Sequence, residues 1–217
     1  SKMDQRNFTV IVPTIEQKQD DEIKFLLKKQ FYPKDLIELK DSDGSVLVFG
    51  IAEFDIKDLA DGIGIYAKVT NNIIRIPVNV LNFKLDTLIK LNEQARYMFE
   101  EEGVYGVKFA SQLESIIYRS EYPPIGIDKP MTITERAAFY WYELATHQAF
   151  HNGNKRTSFL AALTYLKMNH YIFDSEAFSE EDLYNMTVRI AKKELQLEEI
   201  EKLVLNNVSI KINEVNQ

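Results

Sequence analysis

The sequence predicts an α+β protein in two parts. Residues 1–82 form a small N-terminal domain of mixed α and β elements with an antiparallel sheet, and residues 83–217 form an all-α helical bundle. Three observations predict this division. Short β-branched runs bounded by turn residues fill the first part. After about Asn82 the apolar residues recur every three or four positions. Two capping boxes, Thr132 with Glu135 and Ser179 with Asp182, then open long apolar runs.

The first strand is expected at Phe8–Val12, a β-branched run stopped by Pro13. Ile23, Phe25, Leu26 and Leu27 suggest a short helix after it. Asp41-Ser42-Asp43-Gly44 reads as a turn opening a second strand at Val46–Phe49. Ile63–Val69 and Ile73–Leu81 flank Thr70-Asn71-Asn72, which reads as a hairpin tip. Pro77 has no amide to donate, which demotes its strand to an edge or a bulge.

In the second part, Leu85, Leu88, Leu91, Ala95 and Met98 mark one face of a helix. Gly103 and Gly106 bracket a turn, and Leu113, Ile116 and Ile117 mark a further short helix. Glu121–Pro130 contains Pro123, Pro124, Gly126 and Pro130, so it cannot be a regular helix. An aromatic-rich helix follows through Phe139, Trp141 and Leu144, where core packing is the default role for Trp141. The next helix runs from about Asn154 to Met168 with Phe159, Leu163 and Leu166 inward. Leu183, Met186 and Ile190, then Leu197, Ile200 and Leu203, mark the last two helices.

Composition narrows the function classes. The 217 residues carry 26 Lys+Arg against 33 Asp+Glu, a net charge of −7, which argues against nucleic acid as the partner. There is no cysteine, so a disulfide scaffold, a thiolate zinc site and a cysteine nucleophile are excluded. A cytoplasmic location fits that composition. No apolar run approaches the about 20 residues of a membrane span, and the N-terminus lacks the apolar core of a signal peptide.

The stretch His147-Gln148-Ala149-Phe150-His151-Asn152-Gly153-Asn154-Lys155-Arg156-Thr157 lies between two strongly apolar helices. Its chemistry describes an anion site. Gly153 lets backbone approach a ligand, and the helix starting at Asn154 turns its first amides and the positive end of its dipole towards the loop. Lys155 and Arg156 add charge there, and a guanidinium grips phosphate through two parallel hydrogen bonds. An ordinary Asn-Gly turn with solvated cations is the competing reading. His147 and His151 are four residues apart but flank a loop rather than share a helical face, which disfavours zinc. His170, after Asn169 at a helix end, reads as part of a helix C-cap or as a satisfied surface histidine rather than a ligand.

Phe150-x-x-Gly153-Asn154-Lys155-Arg156-Thr157, followed by a Leu/Ala-rich helix, resembles the signature loop of the Fic/Doc family. Lys155 resembles the Doc, or death-on-curing, branch, where Fic proteins usually carry Gly. Tyr105-Gly106-Val107 with Leu113-Glu114 resembles an earlier segment of that branch, and Ile172-Phe173-Asp174-Ser175, Thr187-Val188, Ile190-Ala191 and Leu197-Glu198 resemble its C-terminal helices. The likeness spans about residues 83–208 and leaves out the N-terminal part.

The resemblance implies a helical fold whose loop wraps the phosphates of ATP, the substrate, with Mg²⁺. It implies transfer of an adenylyl or phosphoryl group to a hydroxyl of a target protein, with a translation factor as the Doc-type target and an antitoxin protein as a further partner. By position, Gly153 and Asn154 cradle phosphate, and Lys155 and Arg156 neutralise the transferring group. Two positions depart from the family pattern. Gln148 stands where the family has its catalytic histidine, and Gln has no titratable group. His147 is one residue too early, and could serve only through a slip in register. Asn152 replaces the usual Asp or Glu and is a weak, neutral Mg²⁺ position. The segment around Tyr122 to Pro130 falls where the family places a flap that docks the target, a plain connecting loop being the alternative. The family's inhibitory glutamate motif has no clean match; Thr87 to Asn92 carries Leu91 in the glutamate position. Two functions stay open: a toxin-type transferase, or a non-catalytic nucleotide- or protein-binding module on the same fold.

Overall fold

The computed structural model of the chain describes residues 6–40, 46–98, 103–127 and 129–215. The order of elements is β1 (Asn7–Pro13), α1 (Gln17–Phe31), β2 (Asp35–Lys40), β3 (Val46–Leu59), β4 (Gly62–Val78), α2 (Leu85–Met98), α3 (Ala110–Glu121), α4 (Ile133–His147), α5 (Asn154–Met168), β5 (Tyr171–Phe173), α6 (Glu180–Ala191), α7 (Leu197–Asn206), β6 (Val208–Ile210) and β7 (Ile212–Val215). The architecture is α+β, as the change of period predicts.

The sheet differs in detail from the expectation. Its order is β2-β3-β4-β1-β7. It is mixed rather than antiparallel throughout, because β1 runs parallel to β4 while its other edge takes β7 antiparallel. The second part is likewise not purely helical: β5 and β6 pair with each other, and β7 returns to the N-terminal sheet. The period-two alternation of Val208, Ile210 and Ile212 carries that signal. Thr70-Asn71-Asn72 is no hairpin tip. These residues lie inside β4, opposite Ile51 and Gly50 of β3, and the Asn71 amide donates to the Arg6 carbonyl. The reversal falls instead at Ala60-Asp61, where Leu59 pairs with Gly62. Pro77 pairs with Val12 of β1, beyond the last β3 partner of β4 at Ile74, so no β3 acceptor is left waiting for its missing amide. The Asp41–Gly44 turn lies outside the described residues.

Both parts share one core. On α1, Gln19, Ile23, Leu26 and Leu27 recur at helical spacing and are fully buried. Gln19 accepts from the Ile133 amide (2.9 Å) and donates to Tyr171 Oη (2.7 Å), which in turn donates to Glu22 (2.8 Å). Gln30 pairs both ways with the backbone of Ile210, at 2.9 and 2.8 Å, as a strand would. Burial pushes the Glu22 carboxyl above its usual range, against hydrogen bonds from Thr134 and Tyr171. The core continues through α2, α3 and the α4–α5 pair. Trp141 is buried within it and donates to Thr187 Oγ1 (2.8 Å), so it packs the core and cannot stack on a nucleotide. At the other helix ends the capping boxes at Thr132 and Ser179 form as expected. His170 follows the C-cap residue Asn169 in a left-handed conformation, φ 67°.

One carboxyl pair gives a pH signature. Burial, reinforced by neighbouring Glu135, raises Glu201 on α7 to about 7. Burial also works on Glu135, but the hydrogen bond and charge of Lys18 hold it below its usual value. Glu201 therefore binds its proton more tightly folded than unfolded. Its linkage favours the fold at low pH, and that contribution is lost as pH rises from about 4 to about 7. Glu201→Gln should flatten this slope. Melting curves at about pH 5 and pH 8 should show a smaller fall in Tm for the variant; equal falls would contradict the assignment.

Candidate functional site

The site is built where α4 hands over to α5. The α4 helix is anchored by Ile133, Ala137, Tyr140, Trp141 and Leu144, all buried, so its C-terminal end is fixed relative to the core. Gln148 caps it in the left-handed conformation, φ 48° and ψ 54°, and turns the chain sharply. Ala149 and Phe150 then point inward and are buried. The loop is strapped to the segment before α3. The Ala149 carbonyl accepts from the amides of Lys108 (2.8 Å) and Phe109 (3.0 Å), Val107 and Phe150 form an antiparallel bridge, and the His151 amide donates to the Gly106 carbonyl (3.0 Å).

Two asparagines complete the frame. Asn154 Oδ1 accepts from the Phe150 amide and its Nδ2 donates to the Phe150 carbonyl, both at 3.0 Å. Its side chain is thus used inside the loop, and its backbone amide is what it offers a ligand. Asn92, fully buried on α2, donates to the Asn152 carbonyl (2.8 Å) and to Thr157 Oγ1 (3.1 Å), and accepts from the Gly106 amide (2.9 Å). It ties α2, the strap, the loop and α5 together. Gly153 has φ 73°, and a Cβ there would lie 2.7 Å from Tyr105 Cε1 and 3.3 Å from Asn92 Nδ2. Only glycine meets both demands.

The result is an open cleft of about 240 Å³ at the N-terminus of α5, lined by Gln148, His151, Asn152, Gly153, Asn154, Lys155, Arg156 and Tyr184. The Thr157 amide donates to the Gly153 carbonyl (2.8 Å) in the first turn of α5, so the helix presents its N-terminal end to the cleft. The guanidinium of Arg156 lies over the Tyr184 ring of α6, 4.6 Å from its centroid. Two cations, a helix N-terminus and no carboxylate give the cleft a positive potential on a chain of net charge −7. The same lining does not fit a resident Mg²⁺. Asn152 Nδ2 donates to the Val104 carbonyl, leaving one neutral amide oxygen at the position expected for the metal. Among the described residues no group of three or more His, Cys, Asp or Glu could hold a metal ion.

The cleft brings together Gln148, Asn152, Gly153, Asn154, Lys155 and Arg156 from the sequence reading. It does not bring in His147. That imidazole lies 2.8 Å from Glu143 Oε2, and it lines a separate depression with Ser111, Gln112, Ser115 and Arg119. His151 lines the cleft instead. Asn92, Tyr105 and Tyr184 were missed. Tyr105 enters the sequence reading only through the family-like Tyr105-Gly106-Val107 segment, and Asn92 shows as a polar residue beside Leu91 in the apolar stripe of α2. The Tyr122–Pro130 segment forms no strand among its described residues; it is a loop with a turn from Pro124 to Ile127 (3.1 Å).

Residues 82–166 match the model of the Fic/DOC family. That span runs from α2 to α5 and holds the strap, the loop and the helix N-terminus. Over these residues the helical part of the chain is similar to the Fic/DOC family. No curated protein matches the chain. No helix among the described residues is long and apolar enough to cross a membrane.

Proposed function

We propose that the cleft binds the polyphosphate of ATP and that its layout serves the transfer of a phosphoryl or adenylyl group to a hydroxyl of a target protein. The observation that carries this reading is the convergence of the N-terminus of α5, Lys155 and Arg156 on one cleft whose lining holds no carboxylate. Its volume, about 240 Å³, is below that of a whole-ligand pocket, so the phosphates enter and the nucleoside stays outside. The amides and both cations stabilise charge as it gathers on the transferring group, which is the main contribution a protein makes to such a reaction. Any Mg²⁺ is carried in by the nucleotide's own phosphates.

Gln148 stands at the mouth of this site without a proton to exchange. One specific observation therefore favours a second reading, a binding module that holds nucleotide without transfer: the cleft lacks both a base at position 148 and a carboxylate at position 152. The family association supports a cytoplasmic protein of toxin–antitoxin type, with a translation factor as target and an antitoxin as partner. Incubating the chain with cellular protein and ATP labelled on the α- or the γ-phosphate separates the readings. Label from γ alone gives phosphoryl transfer, and label from α gives adenylyl transfer. ATP bound without label transfer gives the module. Failure to bind ATP overturns both.

A further inference from the structure

The β3–β4 hairpin runs well past the sheet that holds it. β2 leaves β3 at Ala52, and β1 pairs with β4 only from Ile73 onward, so residues 53–70 form a two-stranded arm with neither edge paired among the described residues. Its register sorts the side chains onto two faces, since directly opposed residues share a face. Glu53 with Lys68 and Asp55 with Tyr66 share one face, along with Lys57. This face covers itself: a Cβ on Gly64 would meet Leu59 and Tyr66 at 2.8 and 2.9 Å, and Lys57 Nζ lies 5.4 Å from the Tyr66 centroid.

The other face is apolar and bare. It carries Phe54 opposite Ala67 and Ile56 opposite Ile65, with Ile63 and Val69 beyond. Ile56 is 72% exposed, and Ile63 and Ile65 are each 70% exposed. Together they present about 500 Å² of apolar surface, near the upper limit for an unpartnered patch on a monomer. Its single charge, Asp58, lies towards the tip, so the face offers nothing to select a charged partner.

We infer that this face packs against the same face of a second copy of the chain, making a two-fold dimer through the arms. Two copies stacked on these faces would bury about 1,000 Å² between them, the least that marks a specific interface. The face also has self-complementary relief. Large and small side chains alternate on it, with Phe54 opposite Ala67 next to the Ile56–Ile65 pair, so large groups of one arm can seat over small ones of the other when two sheets stack about 10 Å apart. A two-fold interface requires such self-complementarity.

The test is the mass of the full chain by light scattering and sedimentation from about 1 to about 100 µM. The expected result is a dimer. Ile56→Lys and Ile65→Lys, each on the bare face, should make it monomeric, whereas Lys57→Glu, one residue along and on the opposite face, should leave it dimeric. The arm lies outside the core, so each variant should still unfold in one cooperative transition, with the Tm of the monomeric variants no longer dependent on protein concentration. A parent chain that stays monomeric at about 100 µM overturns the inference, even if the arm captures another protein. So does a dimer that survives Ile65→Lys, or one lost equally with Lys57→Glu.

Discussion

Gln148→His raises label transfer from ATP to protein by about 10²–10⁴-fold over the parent chain, the usual contribution of a positioned general base. Three properties of the position support this expectation. Gln148 lines the cleft at the start of α5, so on the proposed reading an imidazole there would face the transferring group. It is exposed and makes no side-chain hydrogen bond that the fold depends on, so the change disturbs no packing. Its left-handed conformation, φ 48°, is one that histidine tolerates better than most residues. His147→Ala in the same background should leave the gain intact, because His147 is held by Glu143 on another surface. If Gln148→His still binds ATP and transfers nothing, the hydroxyl to be activated does not lie beside position 148, and the binding-module reading stands.

Asn92→Ala should lower stability by about 2–4 kcal/mol and weaken ATP binding together with it. The side chain is fully buried and serves three groups: the Gly106 amide, the Asn152 carbonyl and the Thr157 hydroxyl. Truncation leaves the amide and the carbonyl without their partner in a place water enters with difficulty, and it opens a small cavity beside Tyr105. For a chain of 217 residues this corresponds to a fall in Tm of about 5–15 °C. The loss should be shared between stability and binding, because Asn92 fixes the loop that presents the amides. Thermal or urea unfolding of the variant, with ATP titration, checks both. Unchanged stability would show that the loop does not depend on this bridge.

The helices and the site were largely legible in the sequence. Leu88, Leu91 and Ala95 repeat at helical spacing, Thr132 and Ser179 announce their helices through side chains that reach only three residues, and the candidate cleft is lined by adjacent residues 151–156. The failures share one cause: they depend on pairing over long separations. Nothing local in Asn71-Asn72 distinguishes a turn from mid-strand residues that face β3, although Asp61-Gly62, beside the actual reversal, is the stronger hairpin signal. The parallel β1–β4 pair and the return of β7 to the first sheet join residues far apart in the chain. The direction of His147 was equally hidden. Sequence puts it one residue from position 148, yet the left-handed turn at Gln148 separates the two side chains onto different surfaces.

The most direct measurement is the melting temperature of the chain with and without ATP, and with and without inorganic triphosphate, for the parent and for Arg156→Ala. A cleft that grips polyphosphate through the first amides of α5 predicts that both ligands raise the Tm of the parent, by about 2.7 kcal/mol of added stability at a concentration one hundred times Kd, and that Arg156→Ala abolishes most of the rise. A parent melting curve that neither ligand moves would contradict it.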